Sequence, residues 1–296
     1  MLLLTGATGT VGRAVLRRLT ANGTPVRCLV RDPRRLGPER VRVQIALGDL
    51  GDHLSFRHAL RGVGTVVHLA SVIRDQPNGS IEELAGVATW RLVQAAEREG
   101  VQRFLFFSTL GASTRSRARL MRAKAVAERA VAESTLEHTV FAPSIIYSPS
   151  DPYLTLLQRM SWLPVMPIPG SGRAHFQPIW AEDVADCVLA ALPGGAAHAE
   201  AAGARYELAG PETLSHQEIV ETALQSFHRR RRIVRVPAPV ARRVLKLVEL
   251  LGGPTAFATW DEAELLEVAL ISRDGTADAE RLGVIPKPMR AVLGIG

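Results

Sequence analysis

Lysine is nearly absent from this 296-residue chain: of 36 basic residues only Lys124, Lys246 and Lys287 are lysine, and the other 33 are arginine. Cysteine is as scarce. Cys28 and Cys187 lie inside apolar stretches at no metal-binding or redox spacing, which excludes a disulfide framework or a zinc module and predicts buried, reduced thiols in a cytoplasmic protein. Aromatic residues make up 5%. The net charge of +7 invites a nucleic-acid reading, but basic residues are dispersed apart from one run, His228 to Arg232, with no aromatics between them to stack on bases. A solvated face or an anionic partner fits better than nucleic acid. No apolar run approaches the roughly 18 residues of a membrane span. The chain enters a glycine-rich turn almost at once, with no basic n-region and no room for an apolar h-region, which predicts no secretory signal.

That turn, LLLTGATGTVG at residues 2–12, organises the reading. Three leucines run into Gly6, Gly9 and Gly12, and Val11, Val15, Leu16 and Leu19 then recur at helical spacing: a buried strand, a tight turn and a helix opening. Such a turn brings the unpaired N–H groups and the positive dipole end of a helix up to a phosphate. The glycines sit where a Cβ would block backbone from pyrophosphate or helix from strand. The spacing is G-x-x-G-x-x-G, one residue wider at the start than the standard dinucleotide fingerprint. Gly6, Thr8, Gly9, Thr10, Val11 and Gly12 are therefore candidate cofactor contacts.

Strands alternate with helices thereafter. Pro25 to Val30 is a second strand, and its end is where a Rossmann unit meets the adenosine ribose. An acid there suits the free 2′-hydroxyl and an arginine suits a 2′-phosphate; Arg31, with Arg13, Arg34 and Arg35 as helpers, favours NADP(H), while Asp32 keeps NAD(H) open. Val43 to Leu47 is a third strand followed by Asp49 and Leu50, where the carboxylate suits either the adenine amino group or a turn. Thr65 to Leu69 ends at Ala70 and Ser71, small residues against which a ribose could lie, and Leu69, Ala70 and Ser71 join the candidate contacts. His68 reads as a packed strand residue rather than a catalyst. Ile81 to Glu99 has helical periodicity, Arg103 to Phe107 is a fifth strand ending in Ser108 and Thr109, and His138 to Ala142 is a sixth. The pattern predicts an α/β fold: a doubly wound, Rossmann-type parallel sheet with its ligand site at the strands' C-terminal edge.

TGATGTVG, a serine ending the fifth strand, a lysine on the next helix and the later APSIIY together resemble the extended, atypical short-chain dehydrogenases/reductases. FFSTLGAS, AKAVAERAV, FQPIWAEDVA, YELAGPETLSHQEIV and GPTAFATWDEAELLE with RDGTADAERLGV are similar, within that superfamily, to the group containing the nucleotide-binding accessory subunit of respiratory complex I and its bacterial relatives. The superfamily's catalytic pair is Tyr-x-x-x-Lys on one helix face. The lysine there holds the nicotinamide ribose and lowers the tyrosine pKa, and the phenol exchanges a proton with substrate during hydride transfer. Lys124 matches the lysine, but Leu120 stands at the tyrosine position. Leucine cannot donate a proton, so the pair is degenerate. Lys124 still reads as deliberate, a compact ammonium retained in a chain that otherwise uses arginine. Ser108 matches the family serine, which holds a carbonyl oxygen, and the resemblance implies that Pro143, Ser144, Ile145 and Ile146 pass the nicotinamide. Tyr147 and Tyr153 are candidates for a displaced proton donor, and both read first as packing residues.

Beyond about Ser150 the βα rhythm breaks, so the expected division is a dinucleotide domain of residues 1–149 and 174–210 and a smaller, mostly helical substrate or lid domain of residues 150–173 and 211–296. Asp151 to Ser161 reads as a short helix, Leu163 to Gly172 as a lid-like loop and Gly194 to Gly203 as an exposed connection. Helices are expected at Ala181 to Leu192, Ser215 to Ser226 with a Ser215/Glu218 capping box, Pro239 to Leu251 and Thr259 to Leu270. The basic, amphipathic stretch PVARRVLKLVELL suits either an anionic membrane surface or a partner, but packing on the domain core is the preferred reading.

Two functions compete: an NADP(H)-dependent oxidoreductase of unknown small-molecule substrate that uses Lys124 and Ser108 without the tyrosine, or a non-catalytic nucleotide-binding protein with a structural, redox-sensing or complex-assembly role, cytoplasmic or peripheral to a membrane. A nucleotide-sugar epimerase or dehydratase ranks below both, because those enzymes also need the tyrosine. No metal site is expected.

Overall fold

The computed structural model describes residues 1–52, 54–252 and 259–295; the opening of the GPTAFATWDEAELLE motif, residues 253–258, lies outside them. In chain order the first half comprises β1 (Leu2–Thr5), α1 (Thr10–Ala21), β2 (Val26–Val30), β3 (Gln44–Leu47), β4 (Thr65–His68), α2 (Ala88–Arg98), β5 (Arg103–Phe107), α3 (Arg119–Ala132) and β6 (Glu137–Pro143). There follow β7 (Ile146–Tyr147), α4 (Pro152–Met160), β8 (Val165–Pro169), β9 (His175–Phe176), β10 (Ile179–Trp180), α5 (Ala181–Ala191), β11 (Ala204–Leu208), β12 (Leu214–Ser215), α6 (His216–Ser226), β13 (Arg232–Val236), α7 (Ala238–Gly252), α8 (Trp260–Leu265), α9 (Ala277–Arg281) and α10 (Met289–Val292).

Seven strands form one parallel sheet in the order β11-β6-β5-β4-β1-β2-β3. The fold is therefore the doubly wound, Rossmann-type α/β sheet that the strand and helix rhythm predicts. Both faces are covered, so the central strands are apolar along their length rather than alternating. Leu2 and Leu4 point to one face, where they pack with Val15, Leu16, Val184 and Val188 of α1 and α5; Leu3 points to the other, with Leu92, Val93, Ala127 and Val131 of α2 and α3. Arg18 of α1 pairs with Glu182 and Asp186 of α5, which fixes those two helices side by side. The order of connections reverses between β1 and β4, and the crevice at their C-terminal ends is where such sheets hold ligands.

A third apolar cluster joins α4, β8, α6 and the C-terminal segment, including Leu154, Leu157, Met166, Ile168, Ile219 and Met289. Ser215 caps α6 with the expected box: its hydroxyl accepts from the Glu218 N–H at 3.2 Å, and the Glu218 carboxylate accepts from the Ser215 N–H at 2.7 Å.

Several local expectations are corrected. The segment Leu163 to Gly172 is no open loop: Val165–Pro169 is a strand paired in parallel with Arg232–Val236, and Met166 and Ile168 are buried beneath it. The connection from Gly194 to Gly203 is not wholly exposed, because Ala197 and Ala201 plug the main-sheet core. The helix at Thr259 ends at Leu265, and the helix at Ile81 begins with a π-helical turn, Glu82–Val87. Within residues 211–296, α9 returns to the nucleotide sheet, where Ala279 and Leu282 join its core and Asp278 accepts the Glu207 N–H at 2.8 Å. The preferred reading of α7 also fails: Val240, Val244, Leu247 and Leu250 are exposed rather than packed on the core.

Candidate nucleotide-binding site

The β1–α1 turn is built from close backbone contacts. Gly6 has φ +73°, and a Cβ on it would lie 2.6 Å from the Ala70 nitrogen and 2.7 Å from the Leu69 carbonyl carbon. A Cβ on Gly12 would lie 2.0 Å from the Gly6 oxygen. These two positions tolerate only glycine, while Gly9 closes the turn through its N–H to the Gly6 carbonyl at 3.0 Å. Gly9 is also the N-cap of α1 and brings no side-chain oxygen to the helix end. The first-turn N–H groups of α1 are thus left for an external acceptor, and the helix dipole makes an anion the favoured one.

In front of this turn lies a cavity of about 310 Å³. Of the residues expected from the sequence, Gly6, Thr8, Gly9, Arg31, Asp49, Leu50, Leu69, Ala70 and Ser71 line it together. Sequence reasoning left out Asn78 and Leu84 from the approach to α2, where no strand-end pattern marks them. Thr10, Val11 and Gly12 sit in the first turn of α1, behind the lining, and Gly12 is packed under Gly6 and Ala7. The groups around the cavity are cationic at one end. Arg31 and Arg35 line it beside Asp32, whose carboxylate is occupied in a turn, accepting the Arg34 N–H at 3.0 Å. Asp49 takes the turn role as well: it accepts the Gly51 N–H at 2.9 Å and the Asn78 amide at 2.6 Å, with Arg31 at 3.9 Å.

His68 pins the floor of the crevice. The Thr89 hydroxyl donates to the Ala85 carbonyl at 3.1 Å, so it accepts from His68 Nε2–H at 2.9 Å. Nδ1 is then bare and accepts the Thr5 hydroxyl proton at 2.7 Å. Thr5 Oγ1 in turn faces the Ala70 N–H at 3.4 Å. Burial first, and the nearby Lys124 charge second, push the His68 pKa down to about 3, so the ring is neutral and structural.

The remaining expected residues, Ser108, Lys124, Pro143, Ser144, Ile145 and Ile146, lie outside the lining of this cavity. Lys124 is buried; its ammonium donates to the Phe107 carbonyl at 2.5 Å and lies 5.0 Å from the Phe106 ring centre. Burial lowers its pKa to about 8, against an upward pull from Glu128. Ser108 Oγ is buried and, among the described residues, has no hydrogen-bond partner. The segment from Pro143 to Ile146 is engaged within the fold. The Pro143 carbonyl accepts from Leu110 N–H, the Ile145 carbonyl from Ile179 N–H, and Ser144 Oγ both donates to the Leu270 carbonyl and accepts from Gln177 N–H. Tyr153 is bonded to His216 at 2.7 Å in the third cluster, and Tyr147 is buried in that same cluster with an unpartnered hydroxyl.

Leu120 is buried with Ile81, Ala85 and Ala123, and Leu265 of α8 closes over them. Its neighbour Arg119 bonds Asp75 at 3.0 Å and Glu82 at 2.7 Å and reaches Asp261 of α8 at 3.6 Å. Arg74 reaches Glu262, also on α8, at 3.8 Å. Where the superfamily pattern would set a proton donor, this chain sets an apolar contact ringed by ion pairs.

The NAD(P)H-binding family model matches residues 6–193, which span the glycine turn and the sheet edge just described. The chain belongs to the NAD(P)H-binding family. Within that setting it is 28% identical over 308 residues to the mitochondrial NADH dehydrogenase [ubiquinone] 1 alpha subcomplex subunit 9 of Arabidopsis thaliana, covering 96% of this chain and 74% of that protein. It is 30% identical over 224 residues to the (4-alkanoyl-5-oxo-2,5-dihydrofuran-3-yl)methyl phosphate reductase of Streptomyces griseus, covering 74% and 71%. The fold matches that of an NADPH-dependent quinone oxidoreductase from Escherichia coli complexed with NADPH, with a TM-score of 0.75, 19% identity and 99% of each chain covered. This member of the NAD(P)H-binding family is thus a nucleotide-binding protein, similar over nearly its whole length to the complex I subunit. No helix among the described residues is long and apolar enough to cross a membrane.

Proposed function

We propose that the protein holds NADP(H) as a standing ligand that stabilises or signals through the fold, in a structural or complex-assembly role, without the tyrosine-based proton transfer of its superfamily. The observation that carries this reading is Leu120 buried beneath Leu265, with the Arg119, Asp75, Glu82 and Asp261 ion pairs around it. A buried leucine offers no proton, and α8 fills the place from which substrate would reach one.

The residues present fit a dinucleotide. The Gly6 cradle, which a Cβ would fill, leaves room for pyrophosphate against the N-terminus of α1. Ala70 and Ser71 offer small side chains for a ribose, and Arg31 with Arg35 would meet a 2′-phosphate. Asp32 gives one oxygen to the Arg34 N–H but also lines the cavity, so the NADP(H) preference rests on Arg31 and Arg35 rather than on the lack of an acid. When bound, the nicotinamide could accept or give a hydride; Lys124 would hold the adjoining ribose and Ser108 would offer a hydroxyl that has no partner among the described residues. The name of the Arabidopsis relative, a complex I subunit, supports the assembly role.

A reductase using Lys124 and Ser108 is the second reading. It is favoured by the unpartnered Ser108 hydroxyl, by an ammonium whose pKa is down at about 8, and by a Streptomyces relative that is named a reductase.

The test is to identify by mass spectrometry the nucleotide released on denaturation, then to assay NADPH consumption over carbonyl, quinone and enone acceptors. Released NADP(H) with no turnover, and none gained in Leu120→Tyr, supports the standing-ligand role. Turnover that disappears in Lys124→Ala overturns it in favour of the reductase, and release of NAD(H) alone overturns the NADP(H) preference.

A further inference from the structure

The positive charge of the chain is concentrated in one segment outside the nucleotide site. Thr222 to Val248 contains Arg229, Arg230, Arg231, Arg232, Arg235, Arg242, Arg243 and Lys246 and no acidic residue. Set against a whole-chain charge of +7, those eight leave the rest of the molecule at −1. Among the described residues none of the eight is ion-paired. Arg235 bonds the Gln217 amide, Arg231 donates to the Ser161 carbonyl, and Arg229 and Arg242 lie over the Trp162 and Trp260 rings. A basic cluster that carries no carboxylate partners of its own has its charge available for an external anion.

The same segment exposes apolar surface. In α7, Val240, Val244, Leu247 and Leu250 are 47%, 54%, 56% and 80% exposed. Their spacing of four, three and three residues places them within about a third of the helix circumference. Arg243 falls within that arc beside Leu250 and Lys246 just outside its border, Arg242 lies on the opposite side over the Trp260 ring, and Ala241, buried among the residues described in this helix, faces away from the stripe. One chain turn earlier, the β8–β13 ribbon does the same on a smaller scale: Ile233 and Met166 point into the third core, while Val165 and Val234 on the opposite face are exposed. Trp162, 71% exposed and stacked on Arg229 at 4.0 Å, leads into that ribbon.

An apolar stripe with unpaired basic residues within and beside it complements a surface that is anionic at its rim and hydrocarbon within. Nucleic acid offers the charge but nothing for Val244, Leu247 and Leu250 to enter. We propose that α7, together with the β8–β13 ribbon, docks the protein on the surface of an anionic lipid bilayer, with the α7 stripe at the acyl boundary and the arginines among the headgroups. The nucleotide-binding reading plays no part in this step, so either can fail alone.

The full chain, loaded with nucleotide, is floated with vesicles of phosphatidylcholine and with vesicles to which phosphatidylglycerol is added. It is expected to bind the anionic vesicles and to leave them at about 1 M salt, where screening acts within roughly 3 Å. Arg243→Gln with Lys246→Gln is expected to weaken binding by roughly 20- to 30-fold, from about 1 kcal/mol for each basic residue near the surface. Leu247→Glu is expected to release the protein even at low salt. Each variant is checked for unchanged nucleotide binding, which shows that the fold is intact. Binding that is equal on neutral and anionic vesicles, absent from both, or unaffected by Leu247→Glu overturns the proposal. A dimer by light scattering that Leu247→Glu dissolves also overturns it, and assigns the face to self-association.

Discussion

Gly6 and Ala70 come so close that a single added carbon on Gly6 would stand 2.6 Å from the Ala70 nitrogen. This contact joins β1 to β4 at the point where the sheet reverses its order, and it sets the depth of the nucleotide cavity. Gly6→Ala is expected to lose nucleotide binding, because the methyl must push β4 away from the turn. Its left-handed φ alone costs about 1–2 kcal/mol with a Cβ. Gly23→Ala is the matched control: φ is +67° but nothing lies within 4 Å, so it should lose a similar amount of stability and no affinity. Calorimetry of NADPH binding to both variants checks this. Equal affinities would remove the contact from the account.

His68 ties stability to acid. Its pKa in the fold is about 3 against an ordinary 6.5, so the unfolded chain takes up a proton that the folded chain refuses. Its contribution is present in full above about pH 6.5 and falls as pH drops toward 3, by at most roughly 1.4 kcal/mol per unit. His68→Gln removes the titration. Denaturant melts across this window should show the variant less stable at neutral pH, where the Thr5 and Thr89 bonds are disturbed, yet less sensitive to acid. Parallel curves would show that another group carries the acid response.

Lys124 acts with the same sign in an alkaline window. Burial holds its pKa at about 8 rather than 10.5, so the folded chain releases its proton first as pH rises. The unfolded chain then carries the extra proton, and this group's contribution to stability grows between about pH 8 and 10.5. In Lys124→Met the growth should vanish, and the difference between wild-type and variant melts isolates it from tyrosine and cysteine titrations. NADPH protection of wild type but not of the variant would add that the ammonium meets the ribose.

The sheet was legible in the sequence because its strands are buried on both faces, and runs such as Leu2–Leu4 and Val66–Val67 leave no alternation to misread. The lining of the cavity was legible for a related reason: small and glycine residues at strand ends mark where the backbone leaves open space, and Gly6, Ala70 and Ser71 line the cavity together. Asn78 and Leu84 were not, since Asn78 reaches it from an irregular connection and Leu84 from the π-helical turn before α2, neither at a strand end. The ribbon from Val165 to Pro169 was hidden by its prolines. Pro167 and Pro169 cannot donate to a ladder, yet they are tolerated here because the strand pairs on one side only, with β13. The role of α8 as a cover over Leu120 depends on a contact between residues 145 positions apart, and no local pattern announces it.

The proposed preference for NADP(H) rests on Arg31 and Arg35. Both line the cavity at the end of β2, and the carboxylate between them, Asp32, is held by the Arg34 N–H at 3.0 Å. A 2′-phosphate would receive charge-assisted hydrogen bonds from the guanidiniums, each about 1.5–3 kcal/mol, whereas a 2′-hydroxyl would gain only a bond to the Asp32 carboxylate, one oxygen of which already takes the Arg34 N–H. Replacing both arginines by alanine should therefore weaken NADPH by at least roughly 10- to 100-fold, the effect of one such bond, while NADH changes by less than a few-fold. Titration of intrinsic fluorescence with each nucleotide, at fixed salt because the site is cationic, measures the two affinities. Equal losses for NADPH and NADH would mean that the arginines serve the pyrophosphate or the fold. A gain for NADH in the variant would show that their charge also disfavours the unphosphorylated cofactor.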